Sequence, residues 1–246
     1  MKFHGQFEED RIAYHYFQRF RPADLRKTYL DVGAFDGAHL SNTLLFEELG
    51  WKGICVEANT AVFPELRANR KCICLNVGCS DTEGSGDFYG EEGLTALGTI
   101  NRQAADVLNA TEKWHVSARH TIPMRTVDRI LEDNQMPEID FASIDVDGSE
   151  LEVLRGFNLR RAKPKLICIE TNLGMVGKGR WPRAHSEEIH RIISEAGYFL
   201  LMANQCNSFY SFDKLSAAER FVLWLRGFAS RISRRLSRPA RGRISQ

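Results

Sequence analysis

The 246-residue chain lacks several features that would place it in a familiar class of protein. No apolar run approaches the roughly 20 residues that span a bilayer, and the start has no apolar core typical of a secretion signal. No two of the six cysteines are separated by two residues, the spacing suited to zinc or redox work. We therefore expect a soluble, cytoplasmic protein whose cysteines stay reduced.

Acidic residues are missing from the C-terminal end. Residues 220–246 contain eight arginines and no Asp or Glu, so the rest of the chain carries 25 basic and 32 acidic residues. A negative body argues against a nucleic-acid groove. The same end has apolar residues at helical spacing, namely Phe221, Leu225, Phe228, Ile232 and Leu236. This stripe either packs on the body or rests peripherally on an anionic membrane, at its inner face for a cytoplasmic protein.

Five apolar runs separated mostly by helical segments indicate an α/β fold. The runs cover residues 28–32, 53–57, 71–77, 139–145 and 165–170, with crossover helices predicted at 38–49 and 60–69. Two more runs, 198–203 and 208–213, flank a polar turn. The pattern predicts a mostly parallel sheet with helices on both faces and a C-terminal antiparallel hairpin.

We expect three parts along the chain. Residues 1–27 form an N-terminal helical cap, residues 28–213 the catalytic domain, and residues 214–246 a basic amphipathic tail. Residues 85–123 read as an insertion with a helical stretch at 101–111. Residues 171–186 form a glycine-containing loop before a helix predicted at 187–196. Specificity for a second substrate is expected from the insertion and this loop.

The first apolar run ends in a turn that is short of one glycine. Gly33 and Gly37 follow the run, and Glu57 closes the next one, a layout that holds a nucleoside between strand ends. A dinucleotide pyrophosphate needs three close glycines, and Asp31 and Asp36 would repel it. These carboxylates suit a cationic nucleoside such as S-adenosylmethionine. A NAD-dependent oxidoreductase and a non-catalytic scaffold that keeps the nucleotide fold, recruited to membranes by its tail, remain alternatives.

Ligands of open parallel sheets collect at the carboxyl ends of the strands, so the residues closing each run are the candidate site. Glu57 can accept both ribose hydroxyls and Asp81 an adenine amino group, although acids at helix starts also complement the helix dipole. In strand order the candidates are Asp31, Gly33, Asp36 and Gly37; Glu57 and Asn59; Ser80 and Asp81; Asp145, Asp147 and Glu150; Glu170 and Asn172.

Three carboxylates crowd into six residues after the fourth run, at Asp145, Asp147 and Glu150. Such crowding is unfavourable unless a cation binds there. The cation is either the amine or sulfonium of the cofactor, or a divalent metal held by Asp145, Glu170 and Asn172. Capping of the following helix by Asp147 is compatible with both.

Together these blocks resemble the FkbM family of S-adenosylmethionine-dependent methyltransferases. The resemblance spans about residues 5–172 and rests on residues 6–10 (QFEED), 29–37 (YLDVGAFDG), 56–59 (VEAN), 76–81 (NVGCSD), 125–131 (RTVDRIL) and 144–156 (IDVDGSELEVLRG). It implies the seven-stranded Rossmann-like methyltransferase fold and O-methylation of a sugar, glycan or other small metabolite. Ala58 and Asp147 stand where that family commonly has proline and glutamate.

Transfer of a methyl group to a hydroxyl oxygen requires a base that removes the hydroxyl proton. We hypothesise that Asp147 or Glu150 is this base, with Glu170 and His185 as further candidates. His185 falls in the loop that would close over the substrate.

Overall fold

The apolar runs form a sheet because their side chains are buried on both faces. The structure is a computed structural model that describes residues 1–20, 24–91, 97–110, 115–171 and 182–236, with side chains as far as residue 227. In the first strand (Thr28–Val32) every residue is buried, and successive side chains enter two different apolar clusters. Leu30 lies in one cluster and Tyr29 in the other, so the sheet has a core on each face.

The strands and helices follow the predicted alternation. The strands are β1 (Thr28–Val32), β2 (Lys52–Val56), β3 (Ile73–Leu75), β4 (Gly78–Cys79), β5 (Gly84–Gly90), β6 (Gly98–Thr99), β7 (Ala118–Arg125), β8 (Phe141–Ile144), β9 (Leu166–Glu170), β10 (Phe199–Ala203) and β11 (Asn207–Ser211). The helices are α1 (Glu9–Phe20), α2 (Leu44–Glu48), α3 (Phe63–Asn69), α4 (Arg102–Asn109), α5 (Val127–Asp133), α6 (Glu150–Arg155), α7 (Leu159–Ala162), α8 (Arg183–Glu195) and α9 (Ala217–Leu236).

The main sheet has seven strands in the order β10-β11-β9-β8-β1-β2-β3. Within this sheet the neighbouring strands β9, β8, β1, β2 and β3 pair in parallel. Strand β11 pairs antiparallel with both β9 and β10. The predicted α/β fold, with a mostly parallel sheet and a C-terminal antiparallel hairpin, is therefore confirmed. β1 lies at the centre between β2 and β8, so the ends of these three strands are adjacent.

Two helix boundaries differ from the prediction. The first crossover was predicted at 38–49, but α2 begins only at Leu44, because Leu40 is left-handed (φ 57°) and the Ser41 hydroxyl accepts the Leu44 amide at 3.1 Å. Helix α8 begins at Arg183 instead of residue 187. The expectation that His185 lies in a loop is thus wrong, since it occupies the first turn of α8.

A second sheet occupies the region predicted as an insertion with one helix. Its four strands have the order β4-β7-β5-β6, and α4 lies within it at Arg102–Asn109, close to the predicted 101–111. Its strands were not predicted because β5 reads GSGDFYG and β7 exposes half of its residues. Short polar strands carry little periodic hydrophobic signal.

The two ends of the described chain meet on one face of the main sheet. Helices α1 and α9 pack against each other, and Leu223 of α9 shares an apolar cluster with Ile12 and Tyr16 of α1. Within the residues that the structure describes, no helix is both long and apolar enough to cross a bilayer.

The close approach of β1 and β8 gives a test of the fold. Gly33 has φ +84°, and a Cβ there would meet the Asp145 carbonyl oxygen at 1.8 Å. Gly50 has nearly the same φ, +82°, with nothing within 4 Å. We expect Gly50→Ala to lower the free energy of unfolding by roughly 1–2 kcal/mol through backbone strain alone, and Gly33→Ala by roughly 3–5 kcal/mol. Urea denaturation measures both values, and equal losses in the two variants would contradict the clash.

Candidate functional site

The carboxyl ends of β1, β2 and β8 open into a cleft with about 530 Å³ of empty space, including space open to solvent. The second sheet closes its other side, so polar strand ends face an apolar wall. The cleft is lined by Val32, Gly33, Phe35, Val56, Glu57, Ala58, Asn59, Val77, Cys79, Phe88, Leu97, Gly98, Thr99, Ile100, Asp145, Val146 and Asp147. Of the predicted site residues, Gly33, Glu57, Asn59, Asp145 and Asp147 meet here.

Glu57 is held rigidly at the end of β2. Its Oε2 accepts the Phe35 amide and its Oε1 accepts the Asn59 amide, both at 2.7 Å. Burial raises the pKa of Glu57 to about 7, even though the two amide bonds oppose the shift, and the negative charges of Asp147 and Asp31 add to it. Each oxygen keeps a further lone pair for a ligand hydroxyl.

Asn59 lines the cleft and carries a buried hydrogen-bond donor that is unmatched among the described residues. The side chain is 4% exposed, and its Oδ1 accepts the Ala61 amide at 3.0 Å, which fixes the orientation of the amide group. Its Nδ2 has no hydrogen-bond partner among the residues that the structure describes. A buried donor without a partner is unfavourable, so this position favours a ligand that offers an acceptor.

Asp145 and Asp147 supply the negative charge at the end of β8. Asp145 is exposed to solvent in the cleft, yet protein surrounds it on its other sides. This enclosure, together with the nearby carboxylates of Glu170, Asp147 and Glu150, raises the pKa of Asp145 well above its ordinary range. Asp147 is left-handed (φ 49°), and its Oδ2 accepts the Gly98 amide at 3.1 Å, which ties the turn to the second sheet.

Glu150 lies behind this turn and does not line the cleft. It is completely buried, and its Oε1 accepts the amides of Val146 and Gly148, each at 3.2 Å. Its Oε2 lies 3.0 Å from His185 Nε2. Glu150 thereby holds the turn that carries Asp147 and joins it to His185, and the role of both residues as bases stays a prediction.

Asp31, Asp36 and Gly37, the other candidates near the first turn, make structural contacts within the protein. Asp36 Oδ1 accepts the amides of Ala38 and His39 at 2.8 and 2.7 Å. Gly37 (φ +75°) leaves room for the side chain of Arg70, whose Cγ would lie 2.6 Å from an added Cβ. Asp31 is absent from the described lining of the cleft. It accepts a hydrogen bond from the Thr43 hydroxyl at 2.6 Å, and burial raises its pKa.

Arg70 organises this region and was missed by sequence reasoning. Its side chain is fully buried, and Nη2 donates to the Tyr29 hydroxyl at 2.8 Å and to the Thr43 hydroxyl at 3.0 Å. Nε donates to Glu47 Oε2 at 3.1 Å and Nη1 to the Gly37 carbonyl at 3.2 Å. One planar guanidinium thereby connects the first turn to α2. An arginine just after a helix gives no sequence signal of burial.

Ser80, Asp81 and Glu170 are not among the described residues that line the cleft. Ser80 donates to Asp81 at 3.2 Å, and neither side chain lines the cleft. Glu170 ends β9 and acts on Asp145 through its charge. Asn172, the third residue of the predicted metal set, lies outside the described residues. Within the described ranges no group of three His, Cys, Asp or Glu residues could hold a metal ion, and the metal remains a prediction.

The parallel sheet with a ligand cleft at its carboxyl edge defines a Rossmann-like α/β protein. Residues 31–200 match the family model described as the methyltransferase FkbM domain. The chain belongs to this family, which confirms the resemblance read from its motifs.

Solved structures similar to this chain are distant methyltransferases. A TehB-like SAM-dependent methyltransferase from Corynebacterium glutamicum is 10% identical, with 84% of this chain and 88% of that one covered and a TM-score of 0.43. A SAM-dependent methyltransferase from Archaeoglobus fulgidus is 17% identical, with 77% and 69% covered and a TM-score of 0.34. Monomeric WbdD is 13% identical, with 85% and 41% covered and a TM-score of 0.41. No curated protein shows significant sequence similarity to the chain.

The raised pKa of Glu57 predicts a pH-dependent stability. The folded protein binds this proton more tightly than the unfolded chain, because the pKa is about 7 instead of the ordinary 4.5. Its stabilising contribution is therefore full below pH 4.5 and is lost as the pH rises through about 7. The shift corresponds to about 3 kcal/mol. Between those pH values, the stability of Glu57→Gln relative to the native protein should rise by that amount.

Chemical denaturation of both proteins across this pH range measures the difference. Using the difference removes the contributions of other acids, such as Asp10, whose pKa burial raises to about 6. A constant difference over the whole range would show that Glu57 titrates normally.

Proposed function

We propose that this chain transfers a methyl group from S-adenosylmethionine to a hydroxyl oxygen of a sugar, glycan or other small metabolite. The observation that carries the proposal is the convergence of Glu57, Asp145 and Asp147 on one cleft, beside the unmatched donor of Asn59. Methyltransferase activity follows from the family; the cofactor and the acceptor class are the proposed part.

The residues of the cleft fit this cofactor group by group. Glu57 has lone pairs for the two ribose hydroxyls, and Asn59 Nδ2 has a proton to donate to a ligand acceptor. Phe88 and Leu97 give the cleft an apolar wall that suits a flat nucleobase. Asp145 supplies negative charge for the amine and the sulfonium. When bound, the cofactor supplies a methyl group made electrophilic by its positively charged sulfur.

Asp147 is the proposed general base. It lines the cleft beside Glu57 and Asp145, and its carboxylate can accept the proton of an acceptor hydroxyl. Glu150 and His185 hold its turn, and the bond from the Gly98 amide orients its carboxylate. The protein otherwise contributes alignment of the reacting atoms and exclusion of water.

Support for a hydroxyl acceptor comes from the chemistry of the lining. Carboxylates accept hydrogen bonds from hydroxyl groups and can remove their protons, and they bind neutral sugars through several such bonds at once. Ile100, which follows β6, adds further apolar surface to the lining, and this suits the less polar face of a sugar ring.

Two isosteric substitutions separate the base from the positioning residue. We expect Asp147→Asn to lower turnover by roughly 10²–10⁴-fold while leaving cofactor affinity nearly unchanged. Glu150→Gln keeps one oxygen that can accept both turn amides and an NH₂ group that can donate to His185, so turnover should fall by less than about tenfold. Formation of S-adenosylhomocysteine with a panel of sugars and small alcohols measures turnover.

Asp106→Asn, an exposed change on α4, is the matched control. Native turnover in Asp147→Asn would remove Asp147 as the base, and a larger loss in Glu150→Gln would transfer the role to Glu150. Calorimetry with S-adenosylmethionine, S-adenosylhomocysteine and NAD tests the cofactor. Binding of NAD alone would favour an oxidoreductase, and binding of both sulfur nucleosides without turnover of any acceptor would favour a scaffold.

A further inference from the structure

Helix α9 contacts the body of the protein through one narrow side. Leu223 is 1% exposed and packs in the cluster that contains Ile12 and Tyr16 of α1. Gly227 lies so close to α1 that an added Cβ would meet Ile12 Cγ1 at 2.6 Å. The helix is thus anchored by its Leu223–Gly227 side, and its opposite side faces away from the core.

Large apolar side chains occupy that opposite side. Phe221, Trp224 and Leu225 are 59%, 43% and 39% exposed, and the rings of Phe221 and Trp224 stack with centroids 6.1 Å apart. The sequence left open whether the stripe that begins with Phe221 and Leu225 packs on the body. Phe221 and Leu225 are exposed and do not pack on the body of the protein. In the sequence the same helical spacing continues through Phe228, Ile232 and Leu236.

Positive charge accompanies this apolar side. Arg220 and Arg226 are exposed on the same helix, and residues 220–246 contain eight arginines without an acid. Two copies of such a segment would repel each other, which argues against self-association through this face. The phosphates of a nucleic acid would pair with the arginines but would not bury the aromatic and leucine side chains. An anionic lipid surface matches both features at once.

We propose that α9 is a membrane-surface helix that docks the protein on anionic lipid. Phe221, Trp224 and Leu225 enter the boundary between headgroups and acyl chains, while the arginines contact the headgroup phosphates. Leu223 and Gly227 keep the helix attached to α1, so the catalytic body is held at the lipid surface. This inference is independent of the methyl-transfer chemistry proposed for the cleft.

Sedimentation of the full chain with vesicles tests the docking surface. The vesicles are phosphatidylcholine alone or phosphatidylcholine mixed with phosphatidylglycerol. We expect binding to the anionic vesicles only, weakened by salt. The triple variant Phe221→Ser, Trp224→Ser, Leu225→Ser should bind at least roughly tenfold more weakly, because it loses three large apolar side chains.

The matched control replaces three exposed apolar residues elsewhere, Leu49→Ser, Val107→Ser and Phe212→Ser, which are 40%, 38% and 51% exposed. It should bind like the native protein, and thermal unfolding of both variants checks that they are folded. Trp224 fluorescence gives a direct readout, because brominated lipid should quench a signal that Trp224→Phe removes. Equal binding by both triple variants, equal binding to neutral vesicles, or no quenching of Trp224 would overturn the proposal.

Discussion

Negative charge concentrated at the ends of neighbouring strands is the constraint on which the site depends. Glu57 closes β2, and Asp145 and Asp147 follow β8, so the parallel register brings three carboxylates to one cleft. Burial raises the pKa values of Glu57 and Asp145, and the charge of Asp147 adds to both shifts. A fold under selection for stability alone would not keep this arrangement, because acids with raised pKa values reduce stability at neutral pH. A cationic ligand turns the same charges into binding energy.

The backbone around the cleft is built to bring these charges close together. Gly33 lets the Asp145 carbonyl approach β1, and the buried Arg70 fixes the turn that follows it. On the other side of the cleft, Glu150 holds the amides of Val146 and Gly148 and so fixes the left-handed Asp147. Arg70 and Glu150 thus fix the backbone from behind the cleft, while Asn59, which lines it, keeps an unmatched hydrogen-bond donor.

The main sheet could be read from the sequence because its strands are apolar on both faces. β1 falls at the predicted residues 28–32, and the acids that close β2 and β8 were found by the same reasoning. The second sheet could not, since β5 is polar and rich in glycine. The role of Arg70 could not be predicted from the sequence either, because it depends on partners from β1, α2 and the turn between them. Local patterns reveal burial and spacing but not which polar groups meet in three dimensions.

Glu150 and His185 show what residue type alone does not reveal. Both have side chains able to act as bases, but their contact with each other behind the turn became visible only with the start of α8 at Arg183. At the N-terminus, Glu9 of α1 is likewise completely buried and accepts hydrogen bonds from Asn204 and Asn207 at 2.5 and 3.1 Å. This contact ties α1, and with it α9, to the edge of the sheet that carries β11.

The most direct test of the central claim is the proton exchange that accompanies cofactor binding. Carboxyl groups with raised pKa values are partly protonated in the free protein, and an approaching positive charge makes them ionise. Calorimetry at about pH 6.5 in buffers of different ionisation enthalpy should show proton release on binding of S-adenosylmethionine. The release should be larger than for S-adenosylhomocysteine, which lacks the sulfonium charge, and smaller in Glu57→Gln. Proton uptake, or equal release with both nucleosides, would contradict the account.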